Sequence, residues 1–567
     1  MSLTRLLRHL PLLKSASRHF SITSNVCSPP GTAVLAVAGQ VTTDQEALRR
    51  HTSNRWLYNE QIQLSRRYVK FDPHALGQVA SGAVGANCTR IDKVAEGSTN
   101  KIFLLTFENG QEAIARLPCP LAGPPHLITA SEVATMEFAR EIMKIPVPKI
   151  LSWSSRADAT PVGAEFIIME KVHGVELEKL WPEMRGAENK TVVEQLMEIQ
   201  KKFMTFRFSH YGSLFFKEDV VGYPHTTDIF AEPTAHPDVP SKYAIGPCVS
   251  WDLWRGERQR VDVDRGPWKD AYSYIAGFVK CEKQWLARFA KPRDPSDPFY
   301  LDPEDNSPAA HIAVLDQFLA CLPHIMPDPE LRYPALWHTD LHRGNIFVEP
   351  PQPTISGIID WQWTDIGPFY AQAIFPKAFV YGGDRIKLSS NPYDRPQLPE
   401  GFEDLPLEEQ ELARMEHNEA FTMCYQQILI TETPPWSAVT TIPHRSTIVD
   451  PVYRATRTWY GGIVSMQIIL LHMQVVWDEI APAGTSCPLN YTNEDAERLV
   501  SLAVRARDYE NNVERLKTLL NVQIDGRVDT EQYDEVRAKS EEMKAHWDPE
   551  ECGGQYPFQE GGHSLLI

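Results

Sequence analysis

Residues 337–361 read WHTDLHRGNIFVEPPQPTISGIIDW, and this stretch decides which fold the chain can adopt. Within it, NIFV and ISGII are short apolar runs, and the proline-rich segment EPPQPT between them cannot continue a strand. The pattern predicts a β-hairpin, with Asn345 entering its first strand and Asp360 leaving its second. Because antiparallel strands lie about 4.8 Å apart, we expect these two side chains to lie side by side. Asp340 should lie at the far side of the same loop.

Three oxygen-bearing side chains at one point predict chemistry on a phosphate group. A carboxylate and an amide carbonyl are hard oxygen ligands, suited to Mg²⁺ that is also held by phosphate. A second carboxylate, kept off the metal, can accept a proton from an attacking hydroxyl group. The order His-x-Asp, then Asn, then an aspartate after a hairpin is typical of kinase-like phosphotransfer. Asp340, Asn345 and Asp360 are therefore the candidates for two metal ligands and one proton acceptor.

At this point the sequence resembles a known family, the aminoglycoside phosphotransferase and choline kinase branch of the protein-kinase-like fold. That branch has His-Gly-Asp-Leu-His-x-Gly-Asn where this chain has HTDLHRGN at 338–345, and Ile-Asp-Trp or Ile-Asp-Phe where this chain has IDW at 359–361. The resemblance covers roughly 90–530. It implies a two-lobed α+β fold, with a small β-rich N-lobe and a large, mainly helical C-lobe, and ATP and Mg²⁺ as cofactors.

The resemblance also implies roles for further residues, each at a position that matches the family. Asp340 would be the catalytic base, Asn345 and Asp360 would bind Mg²⁺, and His338 would brace the catalytic loop. The loop of Gly97, Ser98, Thr99 and Asn100 would cover the phosphates. Arg116 would pair with the phosphates, Glu132 would orient Arg116, and the hinge with Met169 and Val172 would meet adenine. Three residues to which the resemblance gives no role are candidate contacts to the acceptor: His342, Arg343 and Arg265.

The chain departs from the family pattern at three places. The phosphate loop has one glycine, Arg116 stands where the family usually has lysine, and Arg343 stands where a small residue or proline is common. The planar guanidinium of arginine is not equivalent to an ammonium group. The first two departures favour a pseudoenzyme, whereas the intact residues of the catalytic loop and hairpin oppose that interpretation.

Three functions from different classes therefore stay open. The first is an ATP-dependent phosphotransferase that acts on a hydroxyl group of a small molecule. The second is a nucleotide-binding pseudokinase that serves as a mitochondrial scaffold. The third is a metal-dependent hydrolase, because His338, Asp340 and His342 occupy alternate positions. On a strand, alternate side chains lie on one face, where these three could bind a metal together. No second His/Asp cluster in the sequence completes such a metal site.

The rest of the chain is organised around this loop. KIFLLTF and EAIARL flank Asn109-Gly110, which predicts a hairpin, and Ser131 is the expected N-cap of the helix that follows. We expect five regions, with an insertion at about 212–268 in the C-lobe: a leader over 1–43, a helical flanking segment over 44–89, the N-lobe over 90–172, the C-lobe over 173–545 and a polar tail over 546–567.

The first 43 residues contain four basic residues, Arg5, Arg8, Lys14 and Arg18, and no acid. This amphipathic, acid-poor pattern predicts a mitochondrial transit peptide and matrix localisation. The uncharged stretch 459–477 is nearly long enough to span a membrane. It contains polar residues and begins with a glycine pair, so we predict a buried helix and no transmembrane segment.

Composition limits the partners. The formal net charge of −18 argues against nucleic acid, because binding to phosphate backbones requires a cationic face. The nine cysteines include no Cys-x-x-Cys pair, which indicates free thiols rather than a disulfide or zinc framework. The expected partners are a nucleotide and an unidentified small-molecule acceptor, and the sequence does not decide the oligomeric state.

Overall fold

A computed structural model describes residues 34–36, 45–232, 234, 236–297, 300, 302–303 and 305–559. The basic residues of the predicted transit peptide lie outside the described residues, as do Cys27 and the end of the predicted polar tail. Every other cysteine is a free thiol, and six of them are buried: Cys88, Cys119, Cys248, Cys281, Cys321 and Cys424.

An antiparallel six-stranded sheet forms the small lobe. The strands within the described residues are β1 Val34–Ala36, β2 Asn54–Trp56, β3 Cys88–Glu96, β4 Asn100–Phe107, β5 Glu112–Pro118, β6 Ile150–Ser154, β7 Phe166–Glu170, β8 Val175–Glu176, β9 Ser213–Phe216, β10 Tyr243–Gly246, β11 Pro334–Trp337, β12 Ile346–Glu349, β13 Thr354–Ile358, β14 Asp365–Pro368 and β15 Arg527–Asp529. The order of strands in the six-stranded sheet is β1-β3-β4-β5-β7-β6. The hairpin of β4 and β5 turns at Gly110, which has a φ of 80°, so this sequence prediction is confirmed.

The larger lobe is mainly helical. The α-helices in the part of the chain that the structure describes are α1 Gln45–Arg49, α2 Glu60–Arg66, α3 Pro73–Val84, α4 Leu127–Glu137, α5 Leu177–Leu180, α6 Ala187–Thr205, α7 Trp251–Trp254, α8 Ala271–Phe289, α9 Pro308–Ile325, α10 Phe369–Gln372, α11 Leu407–Thr431, α12 Trp436–Thr440, α13 Arg445–Arg454, α14 Thr458–Gly461, α15 Val464–Val475, α16 Trp477–Ile480, α17 Asn493–Leu520 and α18 Tyr533–Ala545. The predicted α+β class with two lobes is confirmed, and the domain boundaries stay predictions.

The N-terminus of α4 differs from the prediction. The helix begins at Leu127 after His126, so Ser131 lies inside it, fully buried, and the predicted N-cap is wrong. The reason is tertiary: Glu165, from the segment before β7, accepts hydrogen bonds from the His126 N–H at 2.9 Å and the Thr129 hydroxyl at 2.6 Å. A carboxylate from a distant part of the chain therefore satisfies donors at this helix end.

The hairpin predicted from the opening stretch is present. Strands β12 and β13 pair in antiparallel fashion, with Ile346 opposite Ile358. Beneath it lies the aromatic core of the large lobe, where the ring of Phe203 lies 5.4 Å from that of Trp337 and 6.2 Å from that of Trp361. Because the two tryptophans flank the catalytic stretch, their burial holds both of its ends against the same core.

The flanking segment before the small lobe is only partly helical. Helices α1, α2 and α3 are as predicted, but β2 interrupts them and pairs with β15, near the other end of the chain. Within the stretch 459–477, Gly462 separates α14 from α15, and most of α15 is buried. Among the residues described, none of the helices combines the length and apolar character needed to span a bilayer.

Candidate active site

His338 ties the catalytic loop to the exit of the hairpin. Its Nε2 donates to the carbonyl of Ile359 at 3.0 Å, and its Nδ1 accepts from the N–H of Asp340 at 3.3 Å. Burial lowers the pKa of His338, so the ring stays neutral, with one donor and one acceptor nitrogen. These contacts support the predicted bracing role.

Asp340 and Asn345 meet within the same loop, as the spacing predicted. The Asn345 amide Nδ2 donates to the main-chain carbonyl of Asp340 at 3.0 Å, which leaves the amide oxygen Oδ1 as an acceptor. The Asp340 carboxylate Oδ1 accepts from Lys377 Nζ at 2.7 Å. Sequence reasoning missed Lys377, because it lies in a short 3-10 helix, Lys377–Phe379, well after the hairpin and matches no motif.

Asp360 leaves the hairpin with a φ of 62°, in the left-handed region that non-glycine residues seldom adopt. This turn directs its carboxylate toward the small lobe, where Oδ1 accepts from Arg116 Nη2 at 2.9 Å. Asp360 and Asn345 lie next to one another through the backbone, since the N–H of Ile359 donates to the carbonyl of Asn345 at 3.0 Å.

Arg116 on β5 also forms an ion pair with Glu132 on α4. Both side chains are buried, with 6% and 4% of their surface exposed, so Glu132 is not a solvated helix charge. Burial raises the pKa of Glu132 to about 7, and the neighbouring Arg116 opposes that rise. The structure thus brings this predicted pair together and places it against the hairpin of the other lobe.

Gln362 is a second residue that sequence reasoning missed. Its side-chain oxygen Oε1 accepts from Arg116 Nη2 at 2.8 Å, from Asn100 Nδ2 at 2.8 Å and from Thr99 Oγ1 at 3.2 Å. Only 8% of Gln362 is exposed. Its sole sequence signal is its position two residues after Asp360.

The loop between β3 and β4 carries the predicted phosphate-covering residues. It turns through a hydrogen bond from the Gly97 N–H to the Asn100 carbonyl at 2.9 Å. Ser98 Oγ lies 3.5 Å from Nη1 of Arg527, a residue of β15. Since the other two side chains of the loop contact Gln362, the loop lies next to the exit of the hairpin.

The predicted hinge lies at the end of β7. Met169 pairs with Ile114 on one side and with Ile150 on the other, and its side chain is buried. Val172 packs against Gly357 of β13, where a Cβ on that glycine would lie 2.4 Å from Val172 Cγ1. This close approach joins the hinge to the hairpin and requires glycine at position 357.

His342 lies beside the carboxylate of Asp340, the predicted catalytic base. Its Nδ1 accepts from the Gly344 N–H at 3.1 Å, and its Nε2 lies 3.9 Å from Asp340 Oδ2. Of the three predicted acceptor contacts, His342 therefore lies close to the Asp340 carboxylate.

The two arginines predicted as acceptor contacts are bound within the protein. Arg343 donates to the Ala378 carbonyl at 2.6 Å and to Glu419 at 3.0 Å, and it stacks on Trp181. Arg265 lies over the ring of Trp254, within its own insertion. Its guanidinium donates to three main-chain carbonyl oxygens: Leu253, Arg258 and Val261. The contacts of Arg265 do not bring it to the catalytic loop.

The donor set around the hairpin fits Mg²⁺ bound together with phosphate. Asn345 offers its amide oxygen and Asp360 its Oδ2, because the contact with Arg116 uses Oδ1 alone. These are the hard oxygen ligands that Mg²⁺ prefers. A site made of His338, Asp340 and His342 fits poorly, since both ring nitrogens of His338 are already bonded. In the described parts of the chain, no group of three or more His, Cys, Asp or Glu residues is arranged to hold a metal.

Comparisons with known proteins found a family model, curated relatives and solved structures that are similar to this chain. The model of the phosphotransferase enzyme family, APH, matches residues 90–372. A subtelomeric hrmA-associated cluster protein of Aspergillus fumigatus is 31% identical over 79% of this chain and 91% of its own length. Altered inheritance of mitochondria protein 9 of Yarrowia lipolytica is 24% identical over 87% of each chain. A putative aminoglycoside phosphotransferase from Ralstonia eutropha, 14% identical, aligns over 76% of this chain and 96% of its own with a TM-score of 0.34.

A small lobe built on an antiparallel sheet, a helical large lobe, and a catalytic loop with its hairpin at their junction define a kinase-like phosphotransferase fold. The chain belongs to the phosphotransferase enzyme family, APH. The resemblance to this family, drawn from residues 338–345 and 359–361, is thereby confirmed. The similarity of the chain to altered inheritance of mitochondria protein 9 agrees with it.

Proposed function

We propose that this protein is an ATP- and Mg²⁺-dependent phosphotransferase that transfers the γ-phosphate to a hydroxyl group of a small molecule. The observation that carries the proposal is the position of Arg116, which bonds both Glu132 of the small lobe and Asp360 of the large lobe. A basic residue that lies between a buried acid and a candidate metal ligand is placed where the phosphates of a nucleotide would meet both lobes.

Within this proposal, Asp340 accepts the proton of the attacking hydroxyl group. Its carboxylate is partly exposed, so an acceptor can approach it, and His338 and Asn345 hold its main chain on either side. Lys377 bonds one carboxylate oxygen and thereby orients the other toward the acceptor. Proton transfer to a positioned base of this kind contributes about 10²–10⁴-fold to a rate.

Asn345 and Asp360 would hold Mg²⁺, which when bound with the nucleotide supplies positive charge against the phosphoryl group being transferred. Arg116 places a further positive charge beside the same phosphates. Because Arg116 is buried between two carboxylates, its guanidinium is oriented before the nucleotide arrives.

We place this activity in mitochondria, with the matrix as the expected compartment. One relative is named as a mitochondrial protein, and the acid-free, arginine-containing stretch 1–43 has the pattern of a transit peptide. The unidentified acceptor would then be a hydroxyl compound present in that compartment.

The test is Mg·ATP binding and turnover by protein lacking residues 1–27, compared with Asp360→Ala. The exposed residue Asp158 supplies the matched control, Asp158→Ala. We expect the parent and the control to bind Mg·ATP and to phosphorylate a hydroxyl acceptor from a panel, and Asp360→Ala to lose turnover. Absence of nucleotide binding by the parent would overturn both kinase hypotheses, and binding without turnover on any acceptor would favour the pseudokinase scaffold. Metal-dependent hydrolysis without nucleotide would instead support the hydrolase.

A further inference from the structure

The geometry points to Gln362 as an internal latch that competes with the phosphates of the nucleotide. Its amide oxygen accepts hydrogen bonds from the same side chains that the proposed function assigns to phosphate binding: Thr99, Asn100 and Arg116. This inference rests on the proposed function, because it assigns a form of regulation to the same site.

A count of hydrogens shows that the Thr99 hydroxyl, the Asn100 amide and Nη2 of Arg116 have each of their hydrogens in a hydrogen bond. The Thr99 hydroxyl has one hydrogen, which it donates to Gln362. The Asn100 amide has two, and they go to Gln362 and to Thr99 Oγ1 at 3.2 Å. Nη2 of Arg116 also has two, shared between Gln362 and Asp360. None of these hydrogens is available to a phosphate oxygen until Gln362 moves away.

Residues 360–363, the segment that contains Gln362, are bonded to the small lobe at a second point. Trp363, next to Gln362, has a φ of 62° and donates its indole N–H to the carbonyl of Ala122 at 2.7 Å. Asp360 has the same left-handed backbone conformation and bonds Arg116. Residues 360–363 therefore bridge the lobes through three successive contacts, with Gln362 at the centre.

The latched arrangement leaves one polar group unsatisfied. Oδ1 of Asn100 is buried and has no hydrogen-bond partner among the residues that the structure describes. An unpaired buried acceptor is unfavourable, so the closed form carries a cost that is relieved when the loop opens. This mismatch favours a latch that can be displaced over a permanent structural contact.

A nucleoside triphosphate has the chemistry needed to displace Gln362. Its phosphate oxygens are charged, and hydrogen bonds to an ionised acceptor are stronger than those to a neutral amide. A nucleoside without phosphates has no group that replaces Oε1. The latch therefore selects ligands by their phosphate chain and is indifferent to the base and sugar.

The experiment compares two variants of nearly equal size, Gln362→Met and Gln362→Glu, with the parent protein. Gln362→Met keeps the length of the side chain and removes the acceptor, so ATP should bind about five- to tenfold more tightly, the value of one net hydrogen bond or more. Gln362→Glu places a charged acceptor on the same donors, so ATP should bind at least about tenfold more weakly. Adenosine affinity should change in neither variant.

Equal or weaker ATP binding by Gln362→Met overturns the latch, as does an equal change in ATP and adenosine affinity. Thermal unfolding and circular dichroism confirm that each variant is folded. If neither the parent nor Gln362→Met binds any nucleotide, the proposed function fails and the latch fails with it. If the parent binds ATP and Gln362→Met shows no gain, the latch alone fails.

Discussion

Nη2 of Arg116 lies 2.9 Å from Oδ1 of Asp360, and this ion pair directly joins the sheet of the small lobe to the hairpin of the large lobe. Arg116 lies on β5 and Asp360 follows β13, far away in the chain. Glu132 binds another nitrogen of the same guanidinium. Since a guanidinium presents several donors in one plane, it can satisfy two carboxylates at once, which an ammonium group matches less well. The replacement of the family's usual lysine by arginine is thus compatible with this three-residue contact.

Arg116→Ala should destabilise the protein strongly, because it leaves Glu132 buried without its partner. Breaking one side of a buried ion pair costs about 3–5 kcal/mol. The double variant Arg116→Ala/Glu132→Gln should cost less than the sum of the two single changes, since it removes both buried charges. Urea unfolding of the four proteins gives the coupling energy, and strict additivity would contradict the pairing.

Lys377→Met should lower kcat by about 10–100-fold, less than the full 10²–10⁴-fold that a positioned base contributes, and leave the KM for ATP nearly unchanged. The reason is that Lys377 bonds Asp340, which in the proposed function serves the acceptor rather than the nucleotide. Lys377→Arg should restore part of the activity, and the exposed Lys387 provides the control variant Lys387→Met. Steady-state kinetics are the measurement, and a change confined to the KM for ATP would show that Lys377 acts on the nucleotide instead.

Glu96→Gln should destabilise the small lobe. The carboxylate of Glu96 is buried, accepts from the ammonium groups of Lys93 at 2.9 Å and Lys101 at 2.6 Å, and accepts from the N–H groups of Thr52 and Ser53. Removing its charge leaves two buried cations uncompensated, at a cost of about 3–5 kcal/mol. The matched control is Glu108→Gln, in the exposed turn between β4 and β5.

This loss should depend on pH. Burial alone would raise the pKa of Glu96, but His51, Lys101 and Lys93 together hold it well below its ordinary value of 4.5. Its contribution to the free energy of unfolding is therefore present above pH 4.5 and lost as the pH falls below that value. Unfolding curves of parent and variant should converge in acid, and a constant difference would argue against the charge network.

His311 should make the protein sensitive to mild acid. Burial among the helices of the large lobe lowers the pKa of His311 from 6.5 to about 3, and Arg293 acts in the same direction. Above pH 6.5 the histidine is neutral in both the folded and the unfolded state. As the pH falls below 6.5, the unfolded chain takes up a proton at His311 while the folded protein does not, so the folded state loses stability. The free energy of unfolding should fall by up to about 1.4 kcal/mol per pH unit from this group.

The measurement is urea unfolding between pH 4 and 7 for the parent, for His311→Asn and for the control His225→Asn, whose histidine is exposed. His311→Asn should be less stable at pH 7 and should show a shallower dependence on pH. An unchanged slope in His311→Asn would contradict the assignment.

The catalytic stretch could be predicted because it is local. Its loop, hairpin and metal-ligand candidates lie within residues 337–361, where strand pairing and turn chemistry already place Asn345 near Asp360 and Asp340. The alternation of apolar runs and the proline-rich turn is a short-range signal, and the structure shows the same hairpin. By contrast, the capping of α4 by Glu165 uses a residue outside the helix, so the local signal at Ser131 was misleading.

The sequence by itself determined the family and the two-lobed class, and it predicted the residues of the catalytic loop, since each follows from patterns within a few tens of residues. Only the tertiary structure decided that Lys377 bonds Asp340, that Gln362 takes up donors of the loop between β3 and β4, and that β2 pairs with β15. Those contacts join groups whose separation along the chain carries no periodic or turn signal. They form because burial of polar groups requires a partner, and folding of the whole chain selects which partner is within reach.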